Sequence, residues 1–287
     1  MKIFQKYELL AKTKTPINIG IGLGDSEFHT HKIFTASSDF LRKFKATLWF
    51  FGKIDFLTNF LSQAPNSIKN SKVKFIECQD PEESIIKSLN ENSIQAVVRG
   101  SLSSSKFLKI IKQKLKITLI KRLALLETVN KAQFFYGPVG IDECNNLENK
   151  ISFIKSALKE LHKIEIIPRI SILSGGRLGD IGRDFTVNQT IQDADKVIKL
   201  IKEKYPNIEI SHDEILIESS VEKQSNLIIA PDGISGNLIY RTLVHLGGGK
   251  AYGAIYMGLD NTIIDTSRVG DYSEFYGALV LALALNK

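Results

Sequence analysis

Four short stretches gather the residue types that handle anions. Residues 230–243, APDGISGNLIYRTL, place Asp232, Gly233, Gly236 and Asn237 between the apolar run Leu227–Ala230 and a pattern with Ile239, Leu243 and Leu246 on one helical face. The turn between a buried strand and a helix N-terminus is where α/β proteins bind ligands, because free N–H groups point outward there. Residues 174–184, SGGRLGDIGRD, combine Arg177, Arg183, Asp180 and Asp184 with four glycines after another apolar run. A guanidinium fork meets two phosphate oxygens at once, and glycine lets backbone come close. Ser174, Arg177, Asp180 and Arg183 are therefore expected at a phosphate, with an Arg–Asp salt-bridged loop as the plainer reading. In RGSLSSS (99–105), Arg99, Ser104 and Ser105 could serve an anion, although helix capping needs only one of those serines. Finally, DTSRVGDYSE (265–274) sets a Ser-Arg pair after a strand, with Glu274 seven residues beyond Ser267.

Several chemistries find no support. GIGLGD (20–25) is G-x-G-x-G rather than the dinucleotide fingerprint, and the arginine-rich loop lacks the Walker pattern. His29 and His31 stand two apart with no third ligand, and Cys78 and Cys144 have no metal-ligand spacing. The absence of a disulfide framework, together with a charged start, MKIFQKYELLAKTKTP, leads to an expected cytoplasmic location. FYGALVLALAL (275–285) is about half a bilayer span and is expected to be a buried helix, so no membrane partner is expected.

Elements must position these residues. Hydrophobic content of 43% and charged content of 24% suit a globular chain with a real core. Strand-like and helix-like runs alternate: TPINIGIGLG (15–24), VKFIECQ (73–79), DPEESIIKSL with Asp80 as N-cap, IQAVV (94–98), SKFLKIIKQ, a helical spacing over 151–161, RISIL (169–173), a helix over 190–205, LIIA, and AYGAIYM. Such alternation predicts an α/β fold with a mostly parallel sheet and helices on both faces. The polar stretch DECNNLENK (142–150) is the candidate boundary. A net charge of +7 and a pI near 9.2 suit an anionic small-molecule partner. The basic run 106–122 holds seven Lys or Arg and no acid, but only Phe107 among aromatics. It reads as a solvated helix face and a strand, and no nucleic-acid partner is expected.

The ungapped run from Pro231 to Glu274 resembles the phosphate acetyltransferase and butyryltransferase superfamily: Pro-Asp, Gly236-Asn237, Tyr240, Arg241, Gly253, Gly258-Leu259, Asp265 and Ser267-Arg268. EILIESS (214–220) is similar to that family's Glu-Leu-Gln-x-Asp-Ala-Ala run, with Glu218 in the Asp place. VRGSLSSS, RLALLE (122–127), GPVGIDE (137–143), LSGGRLGDIGR and APDGISGNLIYRTL together resemble the MtxX group, methanogenesis marker protein 4, a methyltransferase-related group of methanogenic archaea.

The resemblance implies two α/β/α domains around a cleft, of the isocitrate/isopropylmalate dehydrogenase type. One would span residues 1–145 plus 267–287, the other, inserted, 146–266. It implies a transferase moving an acyl or related group between phosphate and coenzyme A, with coenzyme A or an acyl phosphate as substrate and no cofactor or metal required. Arg268 would bind phosphate, Ser267 would donate to the acyl oxygen, and Glu274 would stand where relatives carry an Asp base. Asp232, Gly236 and Asn237 would form the wall. The plainer reading of the last three is that Asn237 caps the helix and Asp232 closes the turn. Two departures bear on the substrate. The arginine that follows the family's Gly-x-x-x-Ser-Thr turn is replaced by Ile110 beside Lys109, and the 174–184 loop is foreign to ordinary acetyltransferases. The alternative is an accessory, ligand-binding protein beside a methyltransferase complex. A methyltransferase in its own right lacks a convincing S-adenosylmethionine loop or corrinoid histidine motif. A homodimer is expected from the family.

Overall fold

The computed structural model describes residues 1–63 and 72–286. Two compact units emerge: residues 1–120 with 251–287, and residues 121–250.

The first unit comprises α1 (Ile3–Thr13), β1 (Asn18–Gly22), α2 (Glu27–Lys43), β2 (Thr47–Lys53), α3 (Ile54–Gln63), β3 (Val73–Cys78), α4 (Pro81–Asn90), β4 (Ala96–Val98), α5 (Ser104–Lys114) and, after the second unit, β10 (beginning at Lys250 and ending at Tyr256), β11 (Thr262–Asp265) and α10 (Tyr272–Leu285). Its strands run in the order β3-β2-β1-β4-β11-β10. All neighbours are parallel except β10, which lies antiparallel to β11. β4 is buried at every residue, as expected for a strand covered on both faces. One face is sealed by Ile85, Ile86 and Leu89 of α4 with Phe107 and Ile111 of α5. The charged face of α5 stays solvated, with Lys106 and Lys114 paired to Asp80 and Glu83. α10 is buried from Glu274 to Ala284 and packs on α1, α2 and β11. Asp80 caps α4 by accepting the Glu83 N–H at 3.1 Å.

The second unit comprises β5 (Arg122–Glu127), β6 (Gln133–Gly137), α6 (Leu147–Lys163), β7 (Arg169–Ile172), α7 (Phe185–Lys204), β8 (Glu209–His212), α8 (Ile217–Glu222), β9 (Leu227–Ile229) and α9 (Gly233–Arg241). Its strands run β5-β6-β9-β7-β8, parallel apart from the β5–β6 hairpin.

The breaks differ from those expected. The first falls after Ile120 rather than after residue 145, because the β5–β6 hairpin pairs with β9 and so belongs to the second unit. The polar stretch 142–150 lies inside that unit, where Asn146 caps α6 by accepting the Asn149 N–H at 2.8 Å. The return falls at 251 rather than 267, because β10 pairs with β11 and β11 with β4. Leu246, expected on one helical face with Ile239 and Leu243, is 84% exposed. α9 gives way to a π-turn over Thr242–Leu246, which breaks the 3.6-residue spacing that the expectation assumed. Among the described residues no helix is long and apolar enough to cross a membrane.

Candidate functional site

In the first unit, β11 delivers the chain to the Ser267–Arg268 turn. Two buried devices fix that turn. The Arg99 guanidinium is ion-paired with Asp265, donates to the Leu102 carbonyl at 2.6 Å and donates to the Thr266 carbonyl. Glu274, 4% exposed in the first turn of α10, accepts the Ser267 backbone N–H on Oε1 at 2.7 Å. Thr266 Oγ1 adds a bond of 2.7 Å to the Gly100 carbonyl. Gly100 must be glycine: its φ is +63°, and a β-carbon there would overlap the Gly22 carbonyl oxygen.

Arg268 is exposed and lines a cavity of about 470 Å³. The other walls come from three loops at the C-terminal ends of parallel strands. Leu23, Gly24, Asp25 and Ser26 follow β1, Lys53 ends β2, and Ser101, Leu102 and Ser103 follow β4. Lys106, Pro81 and Glu82 complete it. The Ser101 hydroxyl accepts the Gly24 N–H at 2.8 Å, so the glycine loop after β1 and the serine loop after β4 hold each other. Lys53 pairs with Asp25 at 2.8 Å, and Lys106 lies 3.2 Å from Glu82. Its hydrogen bond to the Asp25 carboxylate raises the Lys53 pKa, so that ammonium stays charged at neutral pH. Partial burial, reinforced by the charges of Lys32 and Arg268, lowers the His29 pKa and favours a neutral ring. The cavity thus offers a guanidinium and hydroxyls to an anion, beside two ammonium groups already paired with carboxylates.

The sequence-expected residues divide accordingly. Arg268 reaches the cavity and Ser267 lies on its turn. Arg99 does not face it; its donors are spent on Asp265 and carbonyls. Ser104 and Ser105 lie in the first turn of α5 and are displaced as cavity residues by Ser101 and Ser103. Ile110 is buried in the core and Lys109 is exposed. Lys53, Lys106 and Glu82 carry no local motif and were missed; Asp25 at the end of GIGLGD was the one signal within reach.

In the second unit, Asp232 is the N-cap of α9, its Oδ1 accepting the N–H groups of Ile234 at 2.9 Å and Ser235 at 2.8 Å. Asn237 donates from Nδ2 to the Val139 carbonyl at 2.8 Å. Gly233 and Gly236 let α9 lie against the 138–140 backbone, since β-carbons there would overlap the carbonyl oxygens of Gly140 and Pro138. Acid, amide and glycines share this turn for structural reasons, but in roles other than the plainer reading gave: Asp232, not Asn237, caps the helix, and Asn237 ties α9 to the Val139 carbonyl. Beneath them Arg122 pairs with Glu143 at 2.6 Å, both nearly inaccessible.

The 174–184 loop is anchored at both ends. Ser174 is buried, donates to the Gly176 carbonyl at 2.8 Å and meets His212 Nε2 at 2.9 Å, while His212 Nδ1 lies 3.1 Å from Asp195. Arg183 is ion-paired with Asp180, which also accepts the Arg177 N–H at 2.9 Å. These bonds hold the Asp180 carboxyl below its usual pKa, the Arg177 N–H first among them. Arg177 itself is exposed. Glu218 is exposed on α8. Cys144 is not a nucleophile at neutral pH: burial, with Glu143 nearby, pushes its thiol up to about 12. Among the described residues both cysteines are free and no cluster could hold a metal ion.

Residues 78–283 match the model of phosphate acetyl/butaryl transferase, a span that runs from the end of β3 into α10. The chain belongs to the phosphate acetyl/butaryl transferase family. Within it, the chain falls in the mtx subunit X group. Proteins carrying the name methyltransferase mtx subunit X are 41% identical in Methanosarcina barkeri, over 75% of this chain and 78% of that one, and 42% identical in Methanosarcina mazei, over 75% of each. A phosphotransacetylase from Streptococcus pyogenes superimposes with a TM-score of 0.72 at 15% identity, covering 99% of this chain and 98% of that one. That likeness is one of fold: a mixed α/β architecture shared with the transferase family.

Proposed function

We propose that this chain is a phosphate acyltransferase-like transferase, moving an acyl or related group between phosphate and coenzyme A or a similar carrier in methanogen metabolism. The observation that carries the reading is Arg268, exposed on a turn fixed by Glu274 and by the Arg99–Asp265 pair, on the wall of a cavity of about 470 Å³ with Ser101, Ser103 and two lysines. The reading brings with it the isocitrate/isopropylmalate dehydrogenase type of two-domain fold.

The chemistry is a displacement at the acyl carbon. The thiol loses its proton to solvent, the thiolate sulfur forms a bond to the acyl carbon, and the bond from that carbon to the phosphate oxygen breaks. Phosphate leaves with the electron pair. Arg268 would neutralise the leaving oxygens, and Ser267 would donate to the acyl oxygen, where a single well-placed donor is worth about 10²–10³ in rate. Orientation of the two reactants could contribute about 7–11 kcal/mol. Glu274 Oε1 already holds the Ser267 N–H, so its first role in this reading is to position that turn.

A second reading is an accessory protein that binds a phosphorylated or coenzyme ligand beside a methyltransferase system. The names of the two Methanosarcina relatives favour it, as does the engagement of both expected catalytic carboxylates, Asp232 and Glu274, by backbone N–H groups.

Thermal unfolding with coenzyme A, acetyl phosphate or inorganic phosphate tests both. A ligand at about 100 times its Kd adds roughly 2.7 kcal/mol to the folded state. A shift with coenzyme A or acetyl phosphate that disappears in Arg268→Ala supports the transferase. A phosphate-only shift leaves an anion pocket, and turnover by the purified chain removes the accessory reading.

A further inference from the structure

The second unit carries a cavity of about 600 Å³ that the transferase reading does not use. It lies where Ile166 and Pro168 lead into β7 and Tyr205–Ile208 lead into β8, the N-terminal ends of those strands. The 174–184 loop sits at their other ends. Leu158, Ile166, Pro168 and Ile208 make an apolar lining, none of them fully exposed. Lys155, Lys159 and His162 project from α6 at positions i, i+4 and i+7, one face of the helix, and Lys204 closes α7.

The charge here is unbalanced. No carboxylate lines the cavity. Lys163, next to it on α6, pairs with Glu160 at 2.8 Å, whereas Lys155, Lys159 and Lys204 have no carboxylate partner among the described residues. Lys204 instead stands 5.7 Å from the centroid of the Tyr205 ring. Cations in the last turn of a helix offset its dipole, which accounts for His162 and Lys204. Lys155 lies roughly two turns inside α6, beyond that effect. Burial first, and then the charge of Lys159, lowers the Lys121 pKa, as an uncompensated cation nearby would.

An apolar floor with a few convergent polar groups, within a volume of about 300–1,000 Å³, is the form of a small-molecule site. We propose that this cavity binds a small organic anion with an apolar body, a carboxylate or phosphate monoester carried on a hydrocarbon or aromatic skeleton. The skeleton lies on Leu158, Ile166 and Ile208 against Tyr205, and the anionic end is met by Lys155, Lys159 and Lys204. Simple inorganic anions gain only the exposed charges, which are worth little alone. Neutral apolar molecules gain only the floor. The proposal is independent of Arg268, which belongs to the other unit.

The test uses the full chain and 8-anilinonaphthalene-1-sulfonate as an amphipathic anion, with N-phenyl-1-naphthylamine as its neutral counterpart. Saturable fluorescence enhancement is expected at one site, with the neutral dye binding at least about tenfold more weakly, and Lys159→Glu with Lys204→Glu should weaken the anionic dye by about tenfold or more. Leu158→Gln should weaken both dyes, whereas any anionic-dye component lost in Arg268→Ala belongs to the cavity of the first unit. Where the double charge reversal fails to unfold cooperatively, Lys159→Gln with Lys204→Gln replaces it, with a smaller loss in the same direction. Absence of saturable binding, equal affinity for the two dyes, or undiminished binding in a folded charge variant would overturn the proposal.

Discussion

Glu274 distinguishes a carboxylate that does chemistry from one that holds a turn, and its length decides the experiment. Its Oε1 accepts the Ser267 N–H at 2.7 Å from a position only 4% exposed. Glu274→Asp withdraws the carboxylate by one carbon–carbon bond, about 1.5 Å. The gap to the Ser267 nitrogen then opens to about 4 Å, past hydrogen-bond range. A hydrogen bond to a charged group is worth about 1.5–3 kcal/mol. At about 2–4 °C per kcal/mol for a folding unit of this size, Glu274→Asp should lower the melting temperature by roughly 3–12 °C. Glu274→Ala should lose a similar amount. Glu274→Gln keeps an oxygen at the same reach and should retain most of the stability. Circular dichroism melts of the four proteins, each with and without inorganic phosphate, measure this. Phosphate should stabilise the Gln variant nearly as well as the wild type, because the Arg268 turn survives. An Asp variant as stable as wild type, or a Gln variant as unstable as Ala, refutes the positioning argument.

Four other perturbations test the scaffold. Gly236→Ala forces a methyl group onto the Pro138 carbonyl and should cost about 1–3 kcal/mol in urea unfolding, whereas Gly179→Ala, with nothing within 4 Å, should be silent. Glu143→Gln removes the nearer counter-charge of the buried Arg122 guanidinium, leaving Asp142 at 3.9 Å, and should cost up to about 3–5 kcal/mol; Arg122→Met with Glu143→Met should recover much of that. Burial alone would raise the Asp213 carboxyl pKa, but bonds from Lys223 at 2.7 Å, Ser171, Ser211 and Ser220 outweigh it and hold it low. A depressed folded pKa contributes stability that is present above the ordinary carboxylate value and lost as pH falls below it, so Asp213→Asn should flatten the fall of the urea midpoint below about pH 4. Lys150 is 3% exposed and burial, its largest influence, lowers its pKa against the opposing pull of Asp193, Cys144 and Asp232; with the folded pKa below the unfolded one, Lys150→Met should raise stability at pH 7, and the gain should shrink as pH approaches about 10.

Much of the fold was legible because its strands are short apolar runs bounded by glycine, proline or acid. β4, β7 and β9 all lie where such runs were read, and Asp80 with Pro81 marks the start of α4. Two kinds of element were hidden. α2 buries Thr30 and Ser37 on its inner face, so its amphipathic contrast is weak in sequence. The β5–β6 hairpin begins inside a basic run, and Arg122 looks like surface until its buried partner Glu143 is found. That same hairpin moved the boundary from 145 to 120, since strand pairing assigns a segment to a unit and composition does not.

The site was legible where a residue's availability depends on its own loop, and illegible where it depends on distant chain. Arg268 could be read from its motif, and it is exposed on a cavity. Arg99 could not, because the acid that consumes it is 166 residues away. The same holds for the carboxylates. The resemblance placed Asp232 in the wall and Glu274 at the base position, yet Asp232 accepts two N–H groups in the first turn of α9, and Glu274, in the first turn of α10, accepts the N–H of Ser267 in the preceding turn. An acid in that place satisfies orphan donors and fixes the preceding turn. A carboxylate committed in this way braces the turn it holds. The residues free to meet a ligand are instead those whose donors no protein acceptor claims, which among the described residues lining the first unit's cavity means Arg268 with the Ser101 hydroxyl. In the proposed reading, preference for one anion over another would follow the charge left by Lys53 and Lys106 after their ion pairs with Asp25, Asp80 and Glu82.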